Sequence, residues 1–206
     1  LSADGKLMIV FNGEIYNFKS IAKFLADNFN IKFKTTSDTE VLINLIQSIG
    51  IDEALEKVEG MFAFCLYDLE RRRVILARDR FGEKPLYFYS NKNCLYFSSE
   101  MSPLINVLKD QLTINYESLD HFLKKSYVST HSSIFNEIVK IKPSTYVEIN
   151  LKSKEICLEE TSYWDYQQLA IEGVEKSKDF SIPYYTAKSR LDELLEKTIK
   201  QTMVSD

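Results

Sequence analysis

The sequence has 206 residues, a formal charge of −4, and is 45% hydrophobic and 13% aromatic, which suits one packed domain or one domain and part of another. That charge leaves no basic footprint for nucleic acid or an anionic membrane surface, and no apolar run approaches the roughly 18 residues of a spanning helix. No secretory signal opens the chain, and three widely spread cysteines argue against a disulfide framework and for a reducing, cytoplasmic setting.

The first element is a run of four apolar residues, Met8 to Phe11, which reads as a strand buried on both faces. Asn12-Gly13 follows, a strong turn signal, and Glu14 then leads into a helical pattern at Ile21, Phe24 and Leu25. The expectation is a strand cut off by a tight turn that presents an amide side chain, an unhindered N–H and a carboxylate together, the make-up of a small polar site. An Asn-Gly turn by itself supplies only φ > 0 at low cost. Asn17 is placed to cap a helix over 19–28, and 31–34 reads as a short strand. Ser37 and Glu40 have the capping-box spacing. Val41, Leu42, Leu45, Ile46 and Ile49 form the buried stripe of the helix they open, and Gly50 closes it.

A brief helix over 52–57 precedes four strand-like runs, 61–68, 73–78, 86–90 and 94–99, whose short connections imply antiparallel hairpins. Residues 61–66 are apolar throughout, as in a central strand covered on both sides. Beyond Glu100 the pattern predicts helices over 103–108 and 119–124 and a hairpin of 145–151 with 156–159. It then predicts an exposed charged linker over 170–180 and a final amphipathic helix from 186 carrying Leu191, Leu194, Leu195, Ile199 and Met203. Helices on two faces of packed antiparallel sheets make an α+β sandwich.

Two carboxylates stand out by position. Glu14 follows Asn-Gly, and Asp38 sits in the first turn of a helix that Ser37 already caps, so Asp38 is free to point elsewhere. If the two converge, they suit a ligand ammonium group. Cys65 lies within an apolar strand, where burial makes a thiol inert, and Cys94 and Cys157 read as packing residues. His121 and His131 lack ligand spacing, so no metal site is expected, and no phosphate-cradling loop is present. Arg78, Asp79 and Arg80 read as strand-end charges that pair with one another and shape the loop over 79–85.

Taken in order, FNGEIYN (11–17), TTSDTEVLINL (35–45), EGMFAFCLYD (59–68), ARDRFGEKPLYF (77–88) and YFSSE (96–100) resemble the glutaminase domain of glutamine-hydrolysing asparagine synthetase. IFNEIVKIKPSTYVEI and Tyr163-Trp164-Asp165 agree with that family's later strand and linker. The resemblance implies a four-layer αββα sandwich of the N-terminal-nucleophile hydrolase type, incomplete here. It implies a partial type 2 glutamine amidotransferase domain over 1–150, the end of the sheet and a linker over 151–185, and over 186–206 the first helix leading into a synthetase domain. Asn12 and the Gly13 N–H would form an oxyanion hole, and Glu14 and Asp38 would hold the α-ammonium of L-glutamine.

The same resemblance places the nucleophile at a terminal cysteine and the α-carboxylate-binding arginine upstream of these motifs, whereas this sequence starts at Leu1 and stops before the family's S-G-G-x-D-S nucleotide loop. The expectation is therefore a piece truncated at both ends and inactive alone, with no cofactor of its own. ATP and Mg²⁺ would serve the synthetase domain of the same polypeptide, and a homodimer is left open. The rival expectations are an amidotransferase delivering ammonia to another carboxylate or a sugar phosphate, and a non-catalytic interaction module.

Overall fold

An apolar run such as Met61 to Leu66 has no face to give to water, so it belongs in the middle of a sheet. In the computed structural model, which describes residues 1–92, 94–129, 132–152, 158–177 and 182–203, it is β2 (Gly60–Asp68). It lies between β1 (Leu7–Ile15) and β3 (Arg73–Arg78) and pairs antiparallel with both. The chain then forms a second, three-stranded sheet from β4 (Tyr87–Ser90), β5 (Leu95–Ser98) and β6 (Val139–Lys140), in the order β5-β4-β6. β7 (Thr145–Asn150) and β8 (Leu158–Ser162) return to complete the first sheet, β1-β2-β3-β7-β8.

The side-chain alternation of β2 divides the core. Phe62, Phe64 and Leu66 face α1 (Phe18–Phe29), α2 (Asp38–Ile49) and α3 (Ile51–Lys57), meeting Leu25, Leu42, Leu45 and Leu55. Ala63 and Cys65 face the second sheet and pack with Leu76, Phe88, Ile141 and Ile149. Each fully buried Phe or Leu contributes about 1.5–3 kcal/mol of transfer free energy. On the far side, α4 (Met101–Leu108) lays Leu104 and Leu108 against Tyr89 and Ile138. Helices, sheet, sheet and helix give the four layers expected. α5 (Tyr116–Lys125), α6 (Tyr166–Ser177) and α7 (Tyr184–Thr202) are peripheral, and α6 and α7 bury none of their residues.

The structure corrects several local expectations. Met8 to Phe11 is not buried on both faces: Met8 is 44% and Val10 58% exposed, because β1 is an edge strand whose inner face the smaller second sheet leaves partly open. Asn12-Gly13 is not a turn. β1 runs through it in unbroken register, with Asn12 opposite Ala63, Gly13 opposite Phe62 and Glu14 opposite Met61. No strand forms over 31–34. Residues 170–177 are exposed, as expected, but helical rather than a linker without regular structure; Glu172–Lys176 and Gln168–Glu172, each four residues apart, support the exposed helix. Cys157, His131, residues 178–180 and the turn 153–156 lie outside the described residues.

Of the expected helix caps, Ser37 is in place, while Asn17 and the Glu40 half of the capping box differ. Asn17 precedes α1 without a side-chain cap. Its Nδ2 instead donates to the Lys57 carbonyl (2.8 Å), and its Oδ1 accepts from the Glu59 N–H (3.0 Å). Ser37 caps α2 by accepting from the Thr39 N–H at 3.2 Å. Glu40 does not close the reciprocal box; its carboxylate accepts from the Lys34 and Thr35 N–H groups and so orders the loop before the helix.

Candidate functional site

Along a strand, side chains alternate between faces and N–H groups between edges. Asn12 and Glu14 therefore share the inter-sheet face with Met8 and Val10, while Ile9 and Phe11 pack with the helical core. The N–H alternation is visible at both ends of β1. Tyr16 donates inward, to the Glu59 carbonyl at 2.8 Å. Leu7 and Ile15 donate outward, to Ser2 Oγ at 3.0 Å and Asp38 Oδ2 at 3.0 Å. Gly13 has the parity of Leu7 and Ile15, so its N–H points away from β2, out of the open edge.

Asp38 comes from the first residue of α2, 24 positions downstream of Glu14 in sequence. Its Oδ2 meets the Ile15 N–H and its Oδ1 accepts from Thr39 Oγ1 at 3.3 Å. Two acceptor positions remain on a half-buried carboxylate beside Glu14. All four residues singled out from sequence thus gather at one strand end. The Asn17 clamp fixes that end by tying the chain after β1 to the residues just before β2.

A cavity of about 360 Å³ opens beside Asn12, lined among others by Val10, Cys65, Phe97, Ser99 and Glu100. Ser99 and Glu100, which line this cavity, and Tyr16, with Glu83 and Glu14 near its phenol, were not singled out by sequence reasoning. Tyr16 continues the parity of Asn12 and Glu14. Burial, reinforced by Glu83, Glu14 and Asp79 nearby, pushes its phenol up. Strand parity was the signal that could have found Tyr16; Ser99, Glu100 and Glu83 come from other elements, and their signal is that they fall within YFSSE and ARDRFGEKPLYF. The carboxylates of Glu14 and Asp38 are the groups at this end suited to a cation.

Cys65 lines the cavity, but burial pushes its thiol up to about 12, leaving it protonated and unreactive at neutral pH. His121 is remote, on α5, where its ring nitrogen meets the Tyr127 carbonyl at 2.9 Å. Among the described residues, no three His, Cys, Asp or Glu side chains are grouped to hold a metal ion, and no helix is long and apolar enough to cross a membrane. Arg78 and Asp79 do shape the loop over 79–85, but not by pairing with each other: the guanidinium donates to the carbonyls of Gly82, Lys84 and Ile141. The Asp79 carboxylate accepts from backbone N–H groups. Desolvation, which favours bonding to the nearest backbone dipoles, decides this arrangement.

Comparison with known proteins adds to this geometry. A family model described as a glutamine amidotransferase domain matches residues 1–164. A glutamine-hydrolysing asparagine synthetase of Bacillus subtilis (strain 168) is 35% identical over 176 residues, covering 83% of this chain and 23% of the relative. A putative glutamine-hydrolysing asparagine synthetase of Methanocaldococcus jannaschii is 29% identical over 205 residues, covering 97% and 36%. The chain thus spans between about a quarter and a third of the length of these relatives. Among solved structures, the glutamine phosphoribosylpyrophosphate amidotransferase of B. subtilis aligns with a TM-score of 0.55 at 20% identity, over 80% of this chain and 30% of that one. At that identity it supports the shared fold.

Proposed function

The chain belongs to the glutamine amidotransferase domain family, and from that premise we propose that the β1 edge is the receiving side of a glutamine pocket. Glu14 and Asp38 would bind the α-ammonium group. Asn12 Nδ2 and the Gly13 N–H would donate to the side-chain oxygen as it gains charge in the tetrahedral intermediate. Such donors are worth most at that moment, because they are fixed beforehand and matched to a charge the substrate lacks in its ground state. Attack by a thiolate forms the S–C bond, collapse of the intermediate expels ammonia, and water then cleaves the thioester. The thiolate, on this reading, is the terminal cysteine that the resemblance implies, since Cys65 is held protonated.

The observation that carries the reading is the Asp38 Oδ2 bond to the Ile15 N–H at 3.0 Å. It sets a carboxylate two residues along the edge from the Gly13 N–H, roughly 7 Å at strand rise, a span that fits an amino acid with its ammonium at one end and its amide at the other. We further propose that the whole polypeptide is a cytoplasmic asparagine synthetase. Its synthetase domain would use ATP and Mg²⁺ to activate aspartate and receive the ammonia released here.

The test is glutamine hydrolysis by the full polypeptide that carries this sequence. Asn12→Ala should lower kcat about 100-fold with little change in KM, whereas Asp38→Asn should raise the KM for glutamine at least about 10-fold. An unmodified protein that releases no ammonia from glutamine, or an Asn12→Ala variant with full kcat, overturns the assignment.

A further inference from the structure

At the end of β3 lies a buried carboxylate outside the glutamine-binding edge. Asp79 is fully buried and accepts four backbone N–H groups: Phe62 (3.2 Å) and Lys84 (2.9 Å) on Oδ2, Phe81 (3.1 Å) and Glu83 (2.9 Å) on Oδ1. Its own N–H donates to the Phe62 carbonyl at 2.8 Å. The β2–β3 ladder ends at the pair Ala63 and Arg78, so Phe62 has no partner residue in β3. Asp79 takes that place with one side-chain and one main-chain bond.

Phe62 is also the residue opposite Gly13. The contact between them is so close that a Cβ on Gly13 would fall 2.6 Å from the Phe62 Cα. Gly13 therefore rests against a stretch of backbone that Asp79 holds from the far side. The loop carrying Asp79 is itself pinned: Arg78 donates to Lys84 and Ile141 carbonyls at 2.7 and 2.8 Å, and Tyr163 Oη donates to the Arg78 carbonyl at 2.7 Å.

From this we infer that Asp79 is a positioning residue for glutamine hydrolysis: it fixes Phe62 and, through Phe62, the Gly13 N–H at the open edge. The inference rests on the reading of Gly13 as an oxyanion donor. It makes a specific split. Displacing Gly13 weakens an interaction formed only as charge develops, so kcat falls; of the two ammonium contacts, Asp38 is anchored separately, on the Ile15 N–H, so KM changes much less than kcat.

The experiment compares steady-state glutamine hydrolysis by the full polypeptide, by Asp79→Asn, and by Leu104→Ala. Leu104 is buried against Tyr89, Leu108 and Ile138 and does not line the cavity beside Asn12, and its truncation serves as a control for general loss of stability. Asp79→Asn is expected to lower kcat about 10-fold, since displacements near 1 Å cost up to about 100-fold, with KM within about twofold. Leu104→Ala should keep its kcat. Should Asp79→Asn not accumulate as folded protein, Tyr163→Phe, which removes only the bond to Arg78, should lower kcat by a smaller factor at constant KM. An unchanged kcat in Asp79→Asn, or in Tyr163→Phe where that variant stands in for it, a rise in KM alone, or an equal fall in Leu104→Ala overturns the role of Asp79 while leaving the glutamine assignment intact. Absence of hydrolysis in the unmodified protein overturns both.

Discussion

Gly13→Ala is the sharpest probe of the β1–β2 contact. A Cβ at Gly13 would lie 2.0 Å from the Met61 carbonyl oxygen, 2.6 Å from Phe62 Cα and 2.9 Å from Met61 C, and φ is +147°. All three neighbours are backbone, so no side chain can swing aside; the strands themselves must part by about 1 Å or more. Overpacking of this kind costs about 1–3 kcal/mol, and the positive φ about 1–2 more, for a total of about 2–5 kcal/mol. Gly50→Ala separates the two contributions. Its φ is +86°, with nothing within 4 Å of the added carbon, so it should lose only about 1–2 kcal/mol. For a chain of this size the melting temperatures should fall by about 10 °C and about 3–5 °C respectively, read by circular dichroism with urea titration as a second measure. Gly60→Ala, whose Cβ would lie 2.1 Å from the Glu14 carbonyl oxygen but whose φ is not positive, should lose only the overpacking share, about 1–3 kcal/mol. Equal losses at Gly13 and Gly50 would refute the close approach, and with it the claim that Phe62 sets the position of Gly13.

Two further outcomes follow from titrating groups. Burial works to raise the pKa of Asp68, but the Arg71 N–H and the Arg71 and Arg73 guanidiniums outweigh it and hold the carboxylate below its usual value. A carboxylate depressed in the folded state stabilises in full above its unfolded value of about 3.9 and loses that contribution as pH falls through the folded one. Asp68→Asn should therefore cost about 1–3 kcal/mol at pH 7 and show a shallower loss of stability below about pH 4; parallel acid limbs would count against the pairing. Cys65, with its thiol pushed up to about 12, should be about 10⁻⁴ thiolate at pH 8. Mass spectrometry should find it unmodified by iodoacetamide in the folded protein and fully modified in urea; alkylation of Cys65 in the folded protein would place it at an accessible surface instead.

Much of the architecture was legible because it follows from local pattern. The unbroken apolar run at 61–66 announced a central strand, and the stripe from Val41 to Ile49 announced the helix beneath it. The four-layer arrangement came through the resemblance and is borne out by three cores, one between each pair of layers. Two of the misses came from backbone partners that the local motif does not show. Asn-Gly is a turn in most settings, and Ser37 with Glu40 is a capping box in most settings. Here the first was overruled by Met61 and Phe62, far away in sequence, and the second by the Lys34–Thr35 backbone just upstream of Glu40.

What the sequence determined by itself was the period of its apolar residues, and so which runs form strands and which form helices, because that follows from side-chain identity and spacing alone. It also placed an amide, an N–H and a carboxylate consecutively at 12–14, whatever the backbone there did. Only the tertiary structure decided that these three lie along an open strand edge, that Asp38 reaches the next N–H on that edge, and that Asp79 braces it from behind. Hydrogen bonds between distant segments depend on register and on distances of a few tenths of an ångström, and those are set by how whole layers pack.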